Sequence, residues 1–160
     1  MTDSLMAQEV REIPEAVARL LDDGAQAIRE VADAARALDP AYIATVARGS
    51  SDHVCTYLKY VAELTLGLPV ASIGPSVAIY KAPLRLSGAL TISVSQSGQS
   101  PDIVDLARAA RAGGALTVAI TNHPQSPLAL ASDRTLALHA VPERSVAAKK
   151  VAPIRRPCRR

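Results

Sequence analysis

The chain has no phenylalanine, no tryptophan and only four tyrosines in 160 residues. That scarcity removes the aromatic platforms on which single-stranded nucleic-acid bases stack. With 30 alanines present, it also points to an interior of closely packed small aliphatic layers. Cysteine is nearly absent: Cys55 lies in an apolar context and Cys158 near the end. Two such cysteines make no disulfide framework and lack the spacing of a zinc site, which fits a reducing, cytoplasmic setting with no metal. Long apolar runs are missing too. The longest stretch without Asp, Glu, Lys or Arg, residues 112–132, carries Gly113, Gly114, Asn122, Pro124 and Pro127 and cannot cross a bilayer as a helix. Residues 1–6 contain Asp3 and no apolar core, so no secretory signal is read there.

The formal charge of +3 is unevenly placed. Lys149, Lys150, Arg155, Arg156, Arg159 and Arg160 carry six positives with no acid among them, and the rest of the chain is slightly acidic. A basic tail on an acidic body weakly suggests a polyanion or an anionic lipid surface. A solvated terminus is the preferred reading, and the tail is discounted as a functional feature. Neither a nucleic acid nor a membrane is therefore expected as a partner, and the Pro/Arg-rich residues 149–160 are expected to be disordered.

What the chain does contain is alternation. Val10, Ile13, Val17, Leu20 and Leu21 recur at helical spacing, and residues 25–38 continue as a second, Ala-rich helix, so residues 1–40 read as a helical segment. Short apolar runs at 42–47, 69–73, 89–94, 115–120 and 134–139 read as strands. Between them, 52–66, 101–112 and 126–131 read as helices, the first with Val54, Leu58, Val61 and Leu64 on one face. Continuous apolar strands alternating with helices predict an α/β domain over 41–148. It is a doubly wound, five-stranded parallel sheet with helices on both faces.

Such sheets bind ligands beyond the carboxyl ends of their strands. Two loops at those ends are rich in hydroxyls and amides: Gly49-Ser50-Ser51 after the first strand, and Ser95-Gln96-Ser97-Gly98-Gln99-Ser100 after the third. Ser100 stands where it would cap the helix begun by Pro101, with Asp102 and Asp105 in its first turn. Backbone N–H groups and the positive end of the helix dipole then face the crevice, an arrangement that suits an anion. No lysine or other cation is assigned to this cradle. The competing phosphate and nucleophile motifs, G-x-x-x-x-G-K-[ST], G-x-G-x-x-G and G-x-S-x-G, are all absent. A plain capped turn would account for residues 95–100 alone; the pairing of two such loops favours a binding site.

Four ordered motifs carry a family resemblance. Ser95 to Asp102 resembles the sugar-phosphate loop of the sugar isomerase (SIS) domain family. Residues 6–14, MAQEVREIP, resemble the M-x-x-E-[IV]-x-E-x-P opening of its amino-sugar-phosphate synthases and deaminases; Ala47 to Ser51 resembles their A-x-G-[ST]-S loop, and Ser145 to Ala148 their V-A-[AS] segment. The resemblance implies that Ser51, Ser95, Gln96, Ser97 and Ser100 hold the phosphate of a ketose or amino-sugar 6-phosphate. Gly49, Ser50 and Gly98 are expected in the same substrate-binding set, Gly49 as a backbone element that allows close approach, and no cofactor is implied. Homodimerisation is expected on the same ground.

Proton transfer between C1 and C2 of such a sugar needs a base. The resemblance places that glutamate, and a lysine, in a second SIS domain, so no catalytic residue is assigned here. His53, His123 and His139 are read as structural or rim residues. After Ala148 the pattern departs from the family: Lys149 stands at a Thr position, and Pro153 and Pro157 exclude the long helix that follows in relatives. The expectation is the N-terminal half of an isomerase, aminotransferase or deaminase, truncated, followed by an out-of-frame or otherwise unrelated tail, and inactive alone. A stand-alone sugar-phosphate sensor is the alternative, and a purely structural domain is a third.

Overall fold

The computed structural model describes residue 7 and residues 11–79 and 84–140. Most of the opening motif at 6–14, the V-A-[AS] segment at 145–148 and the tail at 149–160 lie outside the described residues. Helices α1 (Ile13–Asp23) and α2 (Ala25–Leu38) lead into strand β1 (Ile43–Ala47), followed by α3 (Ser50–Leu66), β2 (Val70–Ser72), the single turn α4 (Ser76–Ile79) and β3 (Leu90–Val94). Helix α5 (Pro101–Ala112), β4 (Leu116–Thr121), α6 (Pro127–Ala131) and β5 (Arg134–Ala137) complete the domain. The strands pair in the order β2-β1-β3-β4-β5, every pair parallel.

The pleat explains the layering. Val46 packs with Ile103, Leu106 and Leu128 under α5 and α6, whereas Ile43 packs with Ala62 and Val70 and, at the edge of that cluster, with Val31 and Ala35 of α2. Successive side chains of β1 thus enter opposite layers, and both layers are dry because the whole of β1 is buried. Ala44, Ala107, Ala110 and Ala119 at the sheet–helix contacts let these layers approach closely, as the alanine-rich composition implied.

Helix boundaries follow local chemistry. Pro101 opens α5 and Gly113 closes it, matching the pattern read from the sequence. Helix α3 begins two residues earlier than expected, at Ser50, because Gly49 takes φ 58° and ψ −134° and turns the chain there. Its buried face is only Cys55 and Ala62. Val54, Val61 and Leu64 do share a face, but that face points to solvent, with Leu64 84% exposed. Cys55 is a free thiol, and burial, with the Asp52 charge second, raises its pKa to about 11, so it behaves as an apolar core residue.

At the far edge one carboxylate joins β4 to the entrance of β5. Asp133 Oδ2 accepts from Thr117 N at 2.9 Å and from Thr117 Oγ1 at 2.7 Å, while Oδ1 pairs with Arg111 Nε at 2.7 Å. Burial alone would raise its pKa, but the Thr117 hydrogen bonds and the Arg111 charge outweigh burial and hold it below 3.8. A depressed carboxylate contributes stability above its unfolded pKa and loses it as pH falls through the folded value. Asp133→Asn is expected to cost about 2 kcal/mol at pH 7. In urea titrations the gap between wild type and variant should close below about pH 4; a gap constant with pH would show that the ionised form is not what stabilises.

Candidate functional site

In this strand order the chain reverses direction across the sheet between β1 and β3, which opens a crevice beyond their carboxyl ends. Ala47 pairs with Val94 as the last register position, so the two loops leave the sheet level with each other. Between them lies a cleft of about 250 Å³. Gly49, Ser50 and Ser51 line it from the first loop, and Ser95, Gln96, Ser97 and Ser100 from the second. Of the residues expected there only Gly98 is off the wall. Its φ of 61° directs the loop against α6, and a Cβ there would lie 2.2 Å from Ser126 Oγ.

Two helix starts aim at this cleft. Ser50 and Ser51 are the first residues of α3, not loop residues, so their N–H groups belong to a first turn with no intrahelical acceptors. Ser100 is the N-cap of α5 by backbone geometry, yet its side chain makes no capping bond; its hydroxyl lines the cleft. Only Asp102 is in the first turn of α5, and Asp105 instead pairs with Arg108 at 3.0 Å. The positive ends of two helix dipoles therefore face the same space.

The second loop is fixed from behind. Ser95 N donates to Ile120 O at 3.0 Å; Gln96 O accepts from Asn122 N at 3.0 Å and from Thr121 Oγ1 at 3.1 Å; Gly98 O accepts from Leu128 N at 3.1 Å. Ser95 Oγ accepts from Gly98 N at 3.2 Å and Ser97 Oγ from Gln99 N at 3.4 Å. Each hydroxyl uses an acceptor lone pair inside the loop and keeps its proton for a ligand. That leaves a preformed set of donors with apolar support from Val94 and Ile103.

One wall residue corrects the expectation of a cradle without a cation. Arg48, at the tip of β1, lines the cleft and forms an ion pair with Asp102, Nη2 against Oδ2. Spacing along the chain gave no sign of it, because 54 positions separate the partners; the only hint was a long basic side chain at the variable position of A-x-G-[ST]-S. The histidines stay out. His53 and His123 are exposed, and His139 is half-buried beside a separate, mainly apolar cavity of about 190 Å³ between the α1–α2 junction and β5. Among the described residues no group of three or more His, Cys, Asp or Glu could hold a metal ion, and no helix is long and apolar enough to cross a membrane.

Comparison with known proteins agrees with this geometry. The chain is 32% identical over 158 residues to glutamine–fructose-6-phosphate aminotransferase (isomerizing) of Staphylococcus epidermidis, covering 92% of this chain and 25% of that protein. A crystal structure from Silicibacter pomeroyi, described as a phosphosugar isomerase, superposes with a TM-score of 0.86 at 61% identity, over 88% of this chain and 43% of that one. The C-terminal domain of glucosamine-fructose-6-phosphate aminotransferase from Francisella tularensis gives 0.74 at 27% identity, over 89% and 41%. The chain thus spans a quarter of the curated relative and less than half of either structure. The SIS domain profile matches residues 39–154, and with that match over most of its length the chain belongs to the SIS domain family.

Proposed function

We propose that the cleft binds the phosphoryl group of a sugar or amino-sugar phosphate, and that the chain works as the N-terminal half of an isomerase, aminotransferase or deaminase without turning over substrate alone. The observation that carries the reading is the convergence of five serine hydroxyls and two helix N-termini on one cleft of about 250 Å³. Three or four charge-assisted hydrogen bonds at about 1.5–3 kcal/mol each suffice for micromolar affinity. The names of the relatives, a fructose-6-phosphate aminotransferase and a phosphosugar isomerase, support the same ligand class. Among the described residues no carboxylate, imidazole or amine lines the cleft to take the C1 or C2 proton, which supports the reading that the chain alone is inactive.

A thermal-shift panel with fructose 6-phosphate, glucosamine 6-phosphate and the unphosphorylated sugars tests this. At a hundredfold excess over Kd the phosphorylated sugars should stabilise the chain by about 2.7 kcal/mol, a rise in Tm of roughly 5–10 °C, and the parent sugars should give almost none. The Ser51→Ala, Ser97→Ala double variant should abolish the shift. No response to any phosphorylated sugar refutes the binding site, and turnover by the isolated chain refutes inactivity. The sensor reading shares the binding step and gains from the same lack of a base. It requires a partner that reads out the bound state, which a pull-down with and without fructose 6-phosphate would reveal.

The reading includes pairing of two copies. The outward face of α3 carries Val54, Tyr57, Tyr60, Val61 and Leu64 with no charged residue among them and is the apolar surface offered for that contact.

A further inference from the structure

We infer that Arg48 is the cation of the anion site and that Asp102 is its positioning residue, an inference that rests on the sugar-phosphate reading above. Four observations meet here. Among the described residues Arg48 is the only charged one on the cleft wall. Its side chain is 55% exposed, whereas that of Asp102 is only 10% exposed. Asp102 Oδ2 is buried and makes no aligned hydrogen bond, so the Arg48 charge is its compensation. The pair also links the end of β1 to the first turn of α5, the two elements that carry the serine loops.

A nearly buried carboxylate is a poor neighbour for a dianion unless its charge is matched. Arg48 matches it through one Nη, and a guanidinium has five N–H donors, so the remaining edge stays available to the cleft. A phosphoryl oxygen taking that edge gains a charge-assisted, geometrically specific bond that the serines cannot supply. Asp102 in turn holds a long side chain that would otherwise sample many rotamers. Ordering a free Arg costs up to about thirtyfold in affinity. Against this stands the repulsion between Asp102 and the ligand, which the paired Arg48 charge offsets. Positioning outweighs repulsion, and this sets the sign of the Asp102 variant.

Calorimetric binding of fructose 6-phosphate and of fructose to the full chain separates the outcomes. Arg48→Gln should weaken fructose 6-phosphate ten- to a hundredfold and leave any fructose binding within twofold. Arg48→Lys, which keeps the charge but not the fork, should fall between. Asp102→Asn should weaken fructose 6-phosphate about three- to tenfold, again without affecting fructose, and thermal unfolding of each unligated variant reports whether it is folded. Unchanged affinity in Arg48→Gln overturns the inference while leaving the serine cradle standing. Equal losses for both sugars reduce the pair to a staple between loops and also overturn it. Tighter binding in Asp102→Asn removes the positioning role. If wild type binds no phosphorylated sugar while staying folded, the proposed function fails and takes this inference with it.

Discussion

Gly98→Ala is expected to lose about 3 kcal/mol or more of stability and the response to fructose 6-phosphate, although Gly98 is not on the wall of the cleft. Two costs add. The residue sits at φ 61°, where an L side chain is disfavoured by about 1–2 kcal/mol. The new Cβ would also stand 2.2 Å from Ser126 Oγ, 2.6 Å from Ser126 Cβ and 3.1 Å from Thr121 Oγ1. Neither neighbour can give way cheaply. Ser126 is buried and caps α6 by accepting from Ala129 N at 3.3 Å, and Thr121 Oγ1 donates to Gln96 O in the same loop. Relief must therefore move residues 95–100 themselves, and with them the hydroxyls of Ser95 and Ser97. Gly88→Ala is the control: it has a similar φ of 71° but nothing within 4 Å, so it should lose only the conformational part, about 1 kcal/mol. Thermal unfolding with and without fructose 6-phosphate should show Gly98→Ala melting roughly 10 °C below wild type and unresponsive to the sugar. Equal behaviour of the two variants would mean that the α6 contact does not set the shape of the loop.

Such a residue shows what the sequence could and could not disclose. Helix α5 was legible to the residue because Pro101 and Gly113 punctuate it chemically. The parallel pairing, though not the order of the strands, was legible because the short apolar strands need helices on both faces, and the two serine loops could be placed together because the strand ends define one crevice. Direction was harder to read. Periodicity groups residues on a helix face without saying whether that face points inward, so the outward aspect of Val54, Val61 and Leu64 had no signature. Ser50 and Ser51 suit a loop and a first helical turn equally well, and only the backbone at Gly49 decides. The four-residue helix α4 is too short to have a period. Arg48 was hidden because its partner lies on another element, brought near only by the register of β1 with β3.

Leu64→Glu should convert a two-copy assembly into monomers while leaving the fold untouched. On α3 the polarity is reversed from that of an ordinary surface helix. The buried side presents only Cys55 and Ala62, and the outward stripe is apolar. The charged residues Lys59 and Glu63 lie off that stripe and pair with each other at 3.9 Å. Tyr57, 72% exposed, stands beside Leu64 on the outward side, so half of this chain's scarce tyrosines, counting Tyr60, are spent on solvent unless something covers them. The open apolar area is on the order of 500 Å², as large as the biggest patch a typical monomer leaves exposed. Two copies related by a two-fold axis would together cover on the order of 1,000 Å², the lower bound for a specific contact. Apart from the exposed His53, one turn before Tyr57, no Asp, Glu, Lys or Arg stands on this face, so few like charges meet across the axis. Light scattering at micromolar concentration should give the mass of a dimer for wild type. The glutamate, two of which would be desolvated per dimer, should raise the dissociation constant at least a hundredfold. Because Leu64 is already 84% exposed, the melting of the separated monomer should shift by no more than about 0.5 kcal/mol. A monomeric wild type would refute the pairing, and a variant that stays dimeric would place the contact on another face.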